Sequence, residues 1–199
     1  MTKLLTNSKV IVSSHTVFNW GPGEMLTLYL KNNKELLSIR HPFCVKVDQP
    51  SFYELYYDSQ KIEEKTISKT YPELISYHND FIVTIRLVLN QKKKYDLFIG
   101  IDPLNGFIGL ILRHLGKVDT VVFYLIDLNP TRFENKFLNF LYHKLEKFCF
   151  KYSDSVWCLT EKIKNTIASQ GVNQNKCIYT PIQTEWVSEK KKLKILNHV

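Results

Sequence analysis

The chain has 199 residues, 44% of them hydrophobic, which is enough apolar material for the core of one globular domain. Its formal net charge of +8 favours an anionic partner, such as a nucleic-acid backbone, an anionic lipid surface or a phosphorylated substrate. No apolar run approaches the ~18 residues of a membrane-spanning helix, and residues 1–7 are too short and polar for a secretory signal. We therefore expect a cytoplasmic protein.

The cysteines and the basic residues exclude two further classes. The four cysteines show no CxxC spacing and have no histidine at a zinc-finger interval, so we expect reduced, mostly buried thiols, no metal site and no cofactor. No interleaved aromatic or glycine signature of an RNA-binding module accompanies the basic residues. Nucleic-acid binding therefore rests on charge alone, and no specific nucleic-acid partner is predicted.

The chain begins with a predicted strand at residues 9–13, followed by a glycine-bearing loop and a helix over about residues 24–32. Glycines 21 and 23 would let the backbone approach a ligand, and the helix N-terminus would favour an anion. Leu26 stands where the third glycine of GxGxxG belongs, so the dinucleotide fingerprint is absent. A simple turn into the helix is the alternative explanation. The candidate acceptor- or phosphate-binding residues here are His15, Asn19, Gly21, Gly23 and Glu24.

The next segments are predicted as a strand at residues 35–40 and then a β-hairpin at an edge of the sheet. Residues 52–57 and 61–65 pair in this hairpin around Asp58-Ser59-Gln60. Residues 71–91 are predicted to be helical because their apolar residues recur at intervals of three and four.

The central stretch contains two short apolar runs, residues 97–101 and 121–126, each of which stops at an aspartate. Such runs are typical of parallel strands that helices cover on both faces. The loops after them, 102–106 and 127–132, fall at the carboxyl ends of strands, where open α/β sheets bind ligands. The candidate residues are Asp102, Asn105, Asp127 and Arg132.

Each of these loop residues also has a structural explanation. Asp102 begins Asp-Pro-x-Asn-Gly, which is strong turn chemistry by itself, and Asp127 could equally cap the turn at Asn129-Pro130. Arg132 either pairs with Asp127, reaches a phosphate, or begins a basic helix face and does neither.

A helix is predicted over residues 132–152, with an apolar stripe that packs on the sheet. The stripe consists of Phe133, Phe137, Leu141, Leu145, Phe148 and Tyr152, and the basic residues of the helix are Arg132, Lys136, Lys144, Lys147 and Lys151. We expect the basic face to meet an anionic membrane peripherally, with a solvated face as the alternative. A strand at 155–159, a helix at 161–170 and a short strand at 176–180 follow.

Strands that alternate with helices predict a doubly wound, Rossmann-like parallel sheet. The order of motifs resembles the N-terminal, acceptor-side half of GT-B glycosyltransferases of the group 1 (family 4) type. The motifs are the His-Thr and Gly-Pro-Gly loop, Asp-Leu-Phe-Ile-Gly-Ile-Asp-Pro, Tyr-Leu-Ile-Asp, Asp-Ser-Val-Trp-Cys-Leu-Thr-Glu and a final Gln-Gly-Val. The resemblance covers residues 9–181. It implies an acceptor-side domain at 1–182 and, at 183–199, a linker or the start of a donor-binding domain.

The resemblance also implies a function. A nucleotide-sugar donor would bind a second domain that is missing here or supplied by another polypeptide, and this half would bind a glycan or lipid-linked acceptor. The Glu-x7-Glu pair of the donor half is absent. Gly21 and Gly23 match the family's first glycine loop, and Asp127 matches its loop near the transferred sugar, where many relatives have a histidine. Asp127 is the catalytic candidate, since a carboxylate there would orient or deprotonate the acceptor hydroxyl.

Two expectations follow from this resemblance. The isolated chain is expected to be inactive, although it would form part of an enzyme. The alternative is a non-catalytic α/β module that binds a ligand or docks a partner.

Overall fold

The computed structural model describes residues 7–16, 21–42, 50–69, 71 and 73–181. These residues form a single eight-stranded sheet in the order β4-β3-β2-β1-β5-β6-β7-β8, with helices on both faces. The strands are β1 (Lys9–Thr16), β2 (Glu35–Pro42), β3 (Ser51–Tyr57), β4 (Gln60–Ser68), β5 (Tyr95–Ile101), β6 (Val118–Leu125), β7 (Ser155–Cys158) and β8 (Cys177–Tyr179). The helices are α1 (Pro22–Leu30), α2 (Glu73–Asn90), α3 (Pro103–His114), α4 (Lys136–Tyr152) and α5 (Glu161–Ser169).

The sheet confirms the predicted α/β, Rossmann-like class. The six strands β2, β1, β5, β6, β7 and β8 are parallel to one another, and β3 and β4 form an antiparallel hairpin on the outer side of β2. Alternate residues of β1 enter different cores, with Ile11 on one face and Val10 and Val12 on the other. This period of two, with both faces apolar, is the physical reason for the continuous apolar runs in the sequence.

The chain changes direction at β1, and this creates a crevice. From β1 it proceeds through α1 to β2 on one side, and it later returns to place β5 on the other side of β1. Helices α1 and α3, which follow β1 and β5, therefore lie on opposite faces of the sheet. In open α/β sheets, ligands bind outside the carboxyl ends of the strands at this switch point.

Two predicted boundaries near the crevice were wrong. β1 extends to Thr16, beyond the predicted end at residue 13, because it pairs with β2 as far as Pro42. Residues 103–106 form the first turn of α3 and not a loop, since the Asp102 carboxylate accepts a hydrogen bond from the backbone N–H of Asn105 and Pro103 suits the first helical position.

Helix α4 differs from the prediction in two ways. It begins at Lys136 and not at residue 132, because the Asn135 side chain caps it by accepting from the N–H groups of Phe137 and Leu138. Much of the stripe predicted to pack on the sheet is exposed, and the side that packs contains Glu146, Cys149 and Phe150. The solvent-exposed stripe residues are Phe137, Leu141, Phe148 and Tyr152.

Three of the four cysteines, Cys149, Cys158 and Cys177, are free and buried as predicted, and Cys44 lies outside the described residues. The predicted domain boundary between residues 182 and 183 also lies outside them. Within the described part of the chain, no helix has the length and apolar character needed to cross a membrane.

Candidate functional site

The candidate site is centred on His15 and Asp102, at the carboxyl ends of β1 and β5. Ser14 pairs with Ile101 across these parallel strands, so the next residue on each strand, His15 and Asp102, lies at the edge of the switch-point crevice. The imidazole Nδ1 of His15 donates to Asp102 Oδ2 at 2.8 Å. The sequence predicted Asp102 from its position at a strand end and His15 as part of the loop after the first strand, and the structure brings them into direct contact.

Asp102 has a strained backbone that its side chain helps to hold. Its φ of 82° and ψ of 161° lie in a region that residues other than glycine rarely occupy. Its carboxylate accepts hydrogen bonds from the backbone N–H of Asn105 at 3.0 Å and from the Asn105 side-chain amide at 2.7 Å. The Asn105 side-chain oxygen in turn accepts from the Ser13 hydroxyl. Asn105 is fully buried, so it connects β1, β5 and α3 beneath the crevice.

A second layer of polar groups lies behind His15. Asp80 of α2 places Oδ2 3.5 Å from His15 Nε2 and Oδ1 3.1 Å from His41 Nδ1. His41 contacts the Thr84 hydroxyl through Nε2 at 2.8 Å, and the Ser51 hydroxyl donates to Asp80 at 2.9 Å. The Asp80 side chain is only 1% exposed and that of His15 is 2% exposed. Buried charges of this kind persist only when they are paired and hydrogen-bonded.

The electrostatics of the cluster make His15 a cation at neutral pH. Burial alone lowers the pKa of His15, but the carboxylates of Asp102 and Asp80 outweigh this effect and raise it to about 9. Burial raises the pKa of Asp102, yet the charge of His15 and the bonds from Asn105 hold it below its usual range. Burial lowers the pKa of His41, which therefore stays neutral. The cluster contains one buried imidazolium between two carboxylates.

The second predicted loop forms the neighbouring wall of the crevice, after β6. Arg132 Nη1 donates to Asp127 Oδ2 at 2.7 Å, so the predicted pairing of these two residues is the arrangement that forms. The Asp127 side chain is 46% exposed and that of Arg132 is 16% exposed. Asp127 is therefore the candidate carboxylate that solvent reaches most easily, whereas the Asp102 side chain is 15% exposed.

Aromatic side chains connect the two loops. The Tyr77 ring contacts His15 at 5.4 Å between centroids and Phe133 at 5.9 Å, and Phe133 contacts Tyr142 of α4 at 5.7 Å. Burial raises the pKa of Tyr142, and the charges of Asp102 and Asp127 act in the same direction. Its phenol therefore stays protonated beside both loops and is available as a hydrogen-bond donor.

The start of α1 lies on the opposite face of the sheet from the His15 cluster. A Cβ on Gly23 would fall 2.4 Å from the Ser14 hydroxyl, so Gly23 allows α1 to pack closely on β1. The Glu24 carboxylate turns back toward the helix start, where Oε2 lies 3.3 Å from the place a Cβ on Gly21 would occupy. Arg40 Nη1 lies 3.8 Å from Glu24 Oε1. Asn19, the remaining candidate of this loop, lies outside the described residues.

Sequence reasoning missed the residues of the second layer and the aromatic bridge. One signal was available in α2, where polar Ser76, Asp80 and Thr84 recur every four residues on one side of the helix, and all three are buried. His41 resembles His15 in its position near the end of a strand. Tyr142 gave no signal of its own, because tyrosines on amphipathic helices are common.

Comparison with known proteins supports the fold. No family model and no curated protein match the sequence. Among solved structures, a UDP-N-acetylglucosamine 2-epimerase superposes with a TM-score of 0.52 at 15% identity, covering 87% of this chain and 48% of that one. The catalytic domain of starch synthase IV from Arabidopsis thaliana, bound to ADP and acarbose, gives a TM-score of 0.52 at 11% identity, covering 88% and 52%.

A UDP-N-acetylglucosamine 2-epimerase from Rickettsia bellii gives a TM-score of 0.51 at 12% identity, covering 96% of this chain and 49% of that one. The chain thus spans about half the length of the solved structures it resembles. At these identities the likeness concerns the fold, which is a GT-B-like, Rossmann-like domain.

Proposed function

We propose that this chain is the acceptor-side half of a GT-B glycosyltransferase of the group 1 (family 4) type. In this proposal it holds a glycan or lipid-linked acceptor while a separate donor half binds a nucleotide-sugar. The observation that carries the proposal is the strained, charged Asp102–His15 pair at the switch point, beside the exposed Asp127–Arg132 pair. The GT-B-like fold and the half-length match to nucleotide-sugar enzymes support it.

The two acidic residues have different roles in this proposal. Glycosyl transfer requires that an acceptor hydroxyl be held in line with the donor and lose its proton. Asp127 is exposed enough to accept that proton, and Arg132 fixes the orientation of its carboxylate. Asp102 orients the acceptor by accepting a hydrogen bond from a second hydroxyl. His15 and Asn105 are positioning residues, because both are buried and both contact Asp102.

The α1 loop is assigned to the same acceptor. An anion at the start of α1 would meet the Glu24 carboxylate, which already lies there. A carboxylate accepts hydrogen bonds from sugar hydroxyls, so Gly21, Gly23 and Glu24 suit a neutral sugar ring better than a phosphate. Asn19 belongs to the same proposed wall through its place in the sequence.

Saturation-transfer NMR on the full 199-residue chain tests the assignment. The ligands are UDP-N-acetylglucosamine as a donor and a short-chain, water-soluble lipid-phosphate sugar as an acceptor. We expect saturation of the acceptor sugar and little or none of the free donor. Strong donor saturation without acceptor saturation would contradict the proposal, and saturation of neither would favour a non-catalytic docking module.

Asp127→Asn is expected to weaken the acceptor signal, because the amide no longer accepts a hydroxyl proton or pairs with Arg132. The matched control is Asp119→Asn, since Asp119 is also an exposed acid of the β6 region, paired with Lys94 at the other end of the strand. In a chain joined to its donor half, Asp127→Asn should lower kcat by about 100-fold. If the two variants gave equal acceptor saturation and equal kcat, Asp127 would have only a structural role in its loop.

A further inference from the structure

The outward side of α4 is both apolar and basic. Four apolar side chains there are exposed to solvent. Phe137 is 70% exposed and Leu141 is 43% exposed, and the exposure of Phe148 and Tyr152 is close to that of Leu141. At 3.6 residues per turn these four lie within an arc of about 60° on the helix. The buried side of the same helix is occupied by Glu146, Cys149 and Phe150. Within the part of the chain that the structure describes, these four side chains are therefore not members of the buried core.

Lysines form a second strip directly beside the apolar one. Lys136, Lys144, Lys147 and Lys151 all lie on the outward side, with Phe140 among them at 58% exposure. None of the four makes a salt bridge with a described residue. Instead, Lys144 Nζ lies 5.3 Å from the centre of the Phe140 ring and Lys151 Nζ lies 4.9 Å from that of Tyr152. We call the four exposed apolar residues of the first strip, these four lysines and Phe140 together the α4 face.

One exposed glutamate, Glu134, precedes α4 and offsets part of the charge of the four lysines, whereas two other nearby acidic residues are turned away or already paired. Glu146, the acidic residue within α4, is buried and contacts His143 at 3.1 Å. Asp154, which follows the helix, accepts from Arg113 at 2.6 Å. The α4 face therefore presents a positive charge next to exposed aromatic rings.

The apolar strip continues onto the neighbouring helix. Phe148 contacts the Phe107 ring of α3 at 5.4 Å between centroids. Between the two helices runs a groove with a volume of about 350 Å³, whose walls include Leu110, Ile111 and Tyr152. Most protein surfaces expose apolar residues singly. Here the apolar side chains form a continuous patch over two helices.

We propose that the α4 face binds the surface of an anionic phospholipid membrane, which goes beyond the proposed transfer reaction. Helices that lie in the plane of a membrane–water interface have phenylalanine and leucine on one strip and lysine on the other, as the α4 face does. The apolar residues enter the boundary between head groups and acyl chains, and the lysines bind lipid phosphates. A second protein copy would place the same lysines against each other, so the charge of the face favours a lipid partner.

Vesicle co-sedimentation of the full chain tests the proposal. The vesicles contain either phosphatidylcholine alone or equimolar phosphatidylcholine and phosphatidylglycerol, at low and at high salt. We expect binding to the anionic vesicles that weakens with salt, and much weaker binding to the neutral ones.

Two variants and two matched controls identify the surface. Changing Lys136, Lys144, Lys147 and Lys151 to Gln should lower the partition coefficient by roughly 100-fold or more, because each interfacial lysine contributes about fivefold. A control that changes exposed Lys34, Lys65, Lys69 and Lys92 to Gln alters the net charge equally and should change binding by no more than about threefold.

The exposed aromatic rings of the α4 face are tested with Phe137→Gln and Phe140→Gln together, which should weaken binding by roughly tenfold or more. The matched control is Tyr29→Gln with Ile62→Gln, two residues of similar exposure on α1 and β4. Far-ultraviolet circular dichroism of each variant checks that it is folded. Absence of binding to anionic vesicles, equal binding by the lysine variant and its control, or a concentration-dependent dimer that covers the α4 face would overturn the proposal.

Discussion

At the scale of single residues, His15 has the most informative environment. It is a buried cation that two aspartates stabilise, and one of those aspartates has a strained backbone at the crevice. Strain of this kind costs of the order of 1–3 kcal/mol and persists only where the surroundings hold it. The hydrogen bonds from Asn105 and the charge of His15 supply that support.

The raised pKa of His15 makes stability depend on pH. The folded-state pKa of about 9 lies above the unfolded value of about 6.5, so the stabilisation is complete below pH 6.5 and is lost as the pH rises toward 9. The free energy of unfolding of the unmodified protein should therefore fall by about 2 kcal/mol between pH 6.5 and 8.5. Over the same pH range, the free energy of unfolding of His15→Gln should stay nearly constant. Urea unfolding at several pH values measures both.

The control for this prediction is His78→Gln, which removes an exposed histidine from α2. The free energy of unfolding of this variant should fall with pH as steeply as that of the unmodified protein. The comparison stops at pH 8.5 because burial also raises the pKa of Cys149, so that ionisation of its unfolded thiol, about half complete at this pH, destabilises the fold further as the pH rises. Parallel pH profiles for His15→Gln and the unmodified protein would contradict the assigned charge.

At the scale of elements, the packing of α3 on β5 depends on two glycines, Gly100 of β5 and Gly109 of α3, where a Cβ would lie 2.6 Å from the Phe98 ring of β5. A Cβ on Gly100 would lie 2.5 Å from the backbone N of Gly106, and a backbone atom cannot move away as a flexible side chain can. This close approach places the α3 N-terminus, and with it Asp102 and Asn105, directly at the end of β5. The position of the site thus depends on the absence of two side chains.

Gly100→Ala should therefore lower the free energy of unfolding by about 3 kcal/mol, the upper part of the range for overpacked positions. Gly116→Ala is the comparison, because a Cβ there meets no atom within 4 Å and only the φ of 71° opposes it. It should cost about 1 kcal/mol. Thermal or urea unfolding measures both, and equal effects would show that the close contact relaxes without cost.

The elements also show which features the sequence could predict. Continuous apolar runs identified β5 and β6, and the aspartates that follow them indicated the candidate site, because both signals are local. The orientation of α4 could not be predicted, since its exposed stripe has the same spacing as a buried one. The contact of His15 with Asp80 depends on residues 65 positions apart, which no local pattern encodes.

At the scale of the whole molecule, the chain matches about half the length of its structural neighbours. Under the proposed function, the purified chain should show no measurable sugar transfer, because donor binding and stabilisation of the leaving diphosphate belong to the other half. A transfer assay with a nucleotide-sugar and a lipid-phosphate sugar measures this, with the chain joined to a donor half as the positive control. Turnover by the chain alone would contradict the prediction.

The edge hairpin β3–β4 has a consequence for how the protein behaves in a crowded cell. Residues 60–66 of β4 are all exposed and include Lys61, Glu63, Glu64 and Lys65, while the opposite edge strand, β8, has only three residues. A long apolar edge would invite strands of other molecules to extend the sheet into fibres, whereas charged or very short edges discourage it. Both edges of the described sheet are therefore protected against polymerisation, and the domain can remain monodisperse at high concentration.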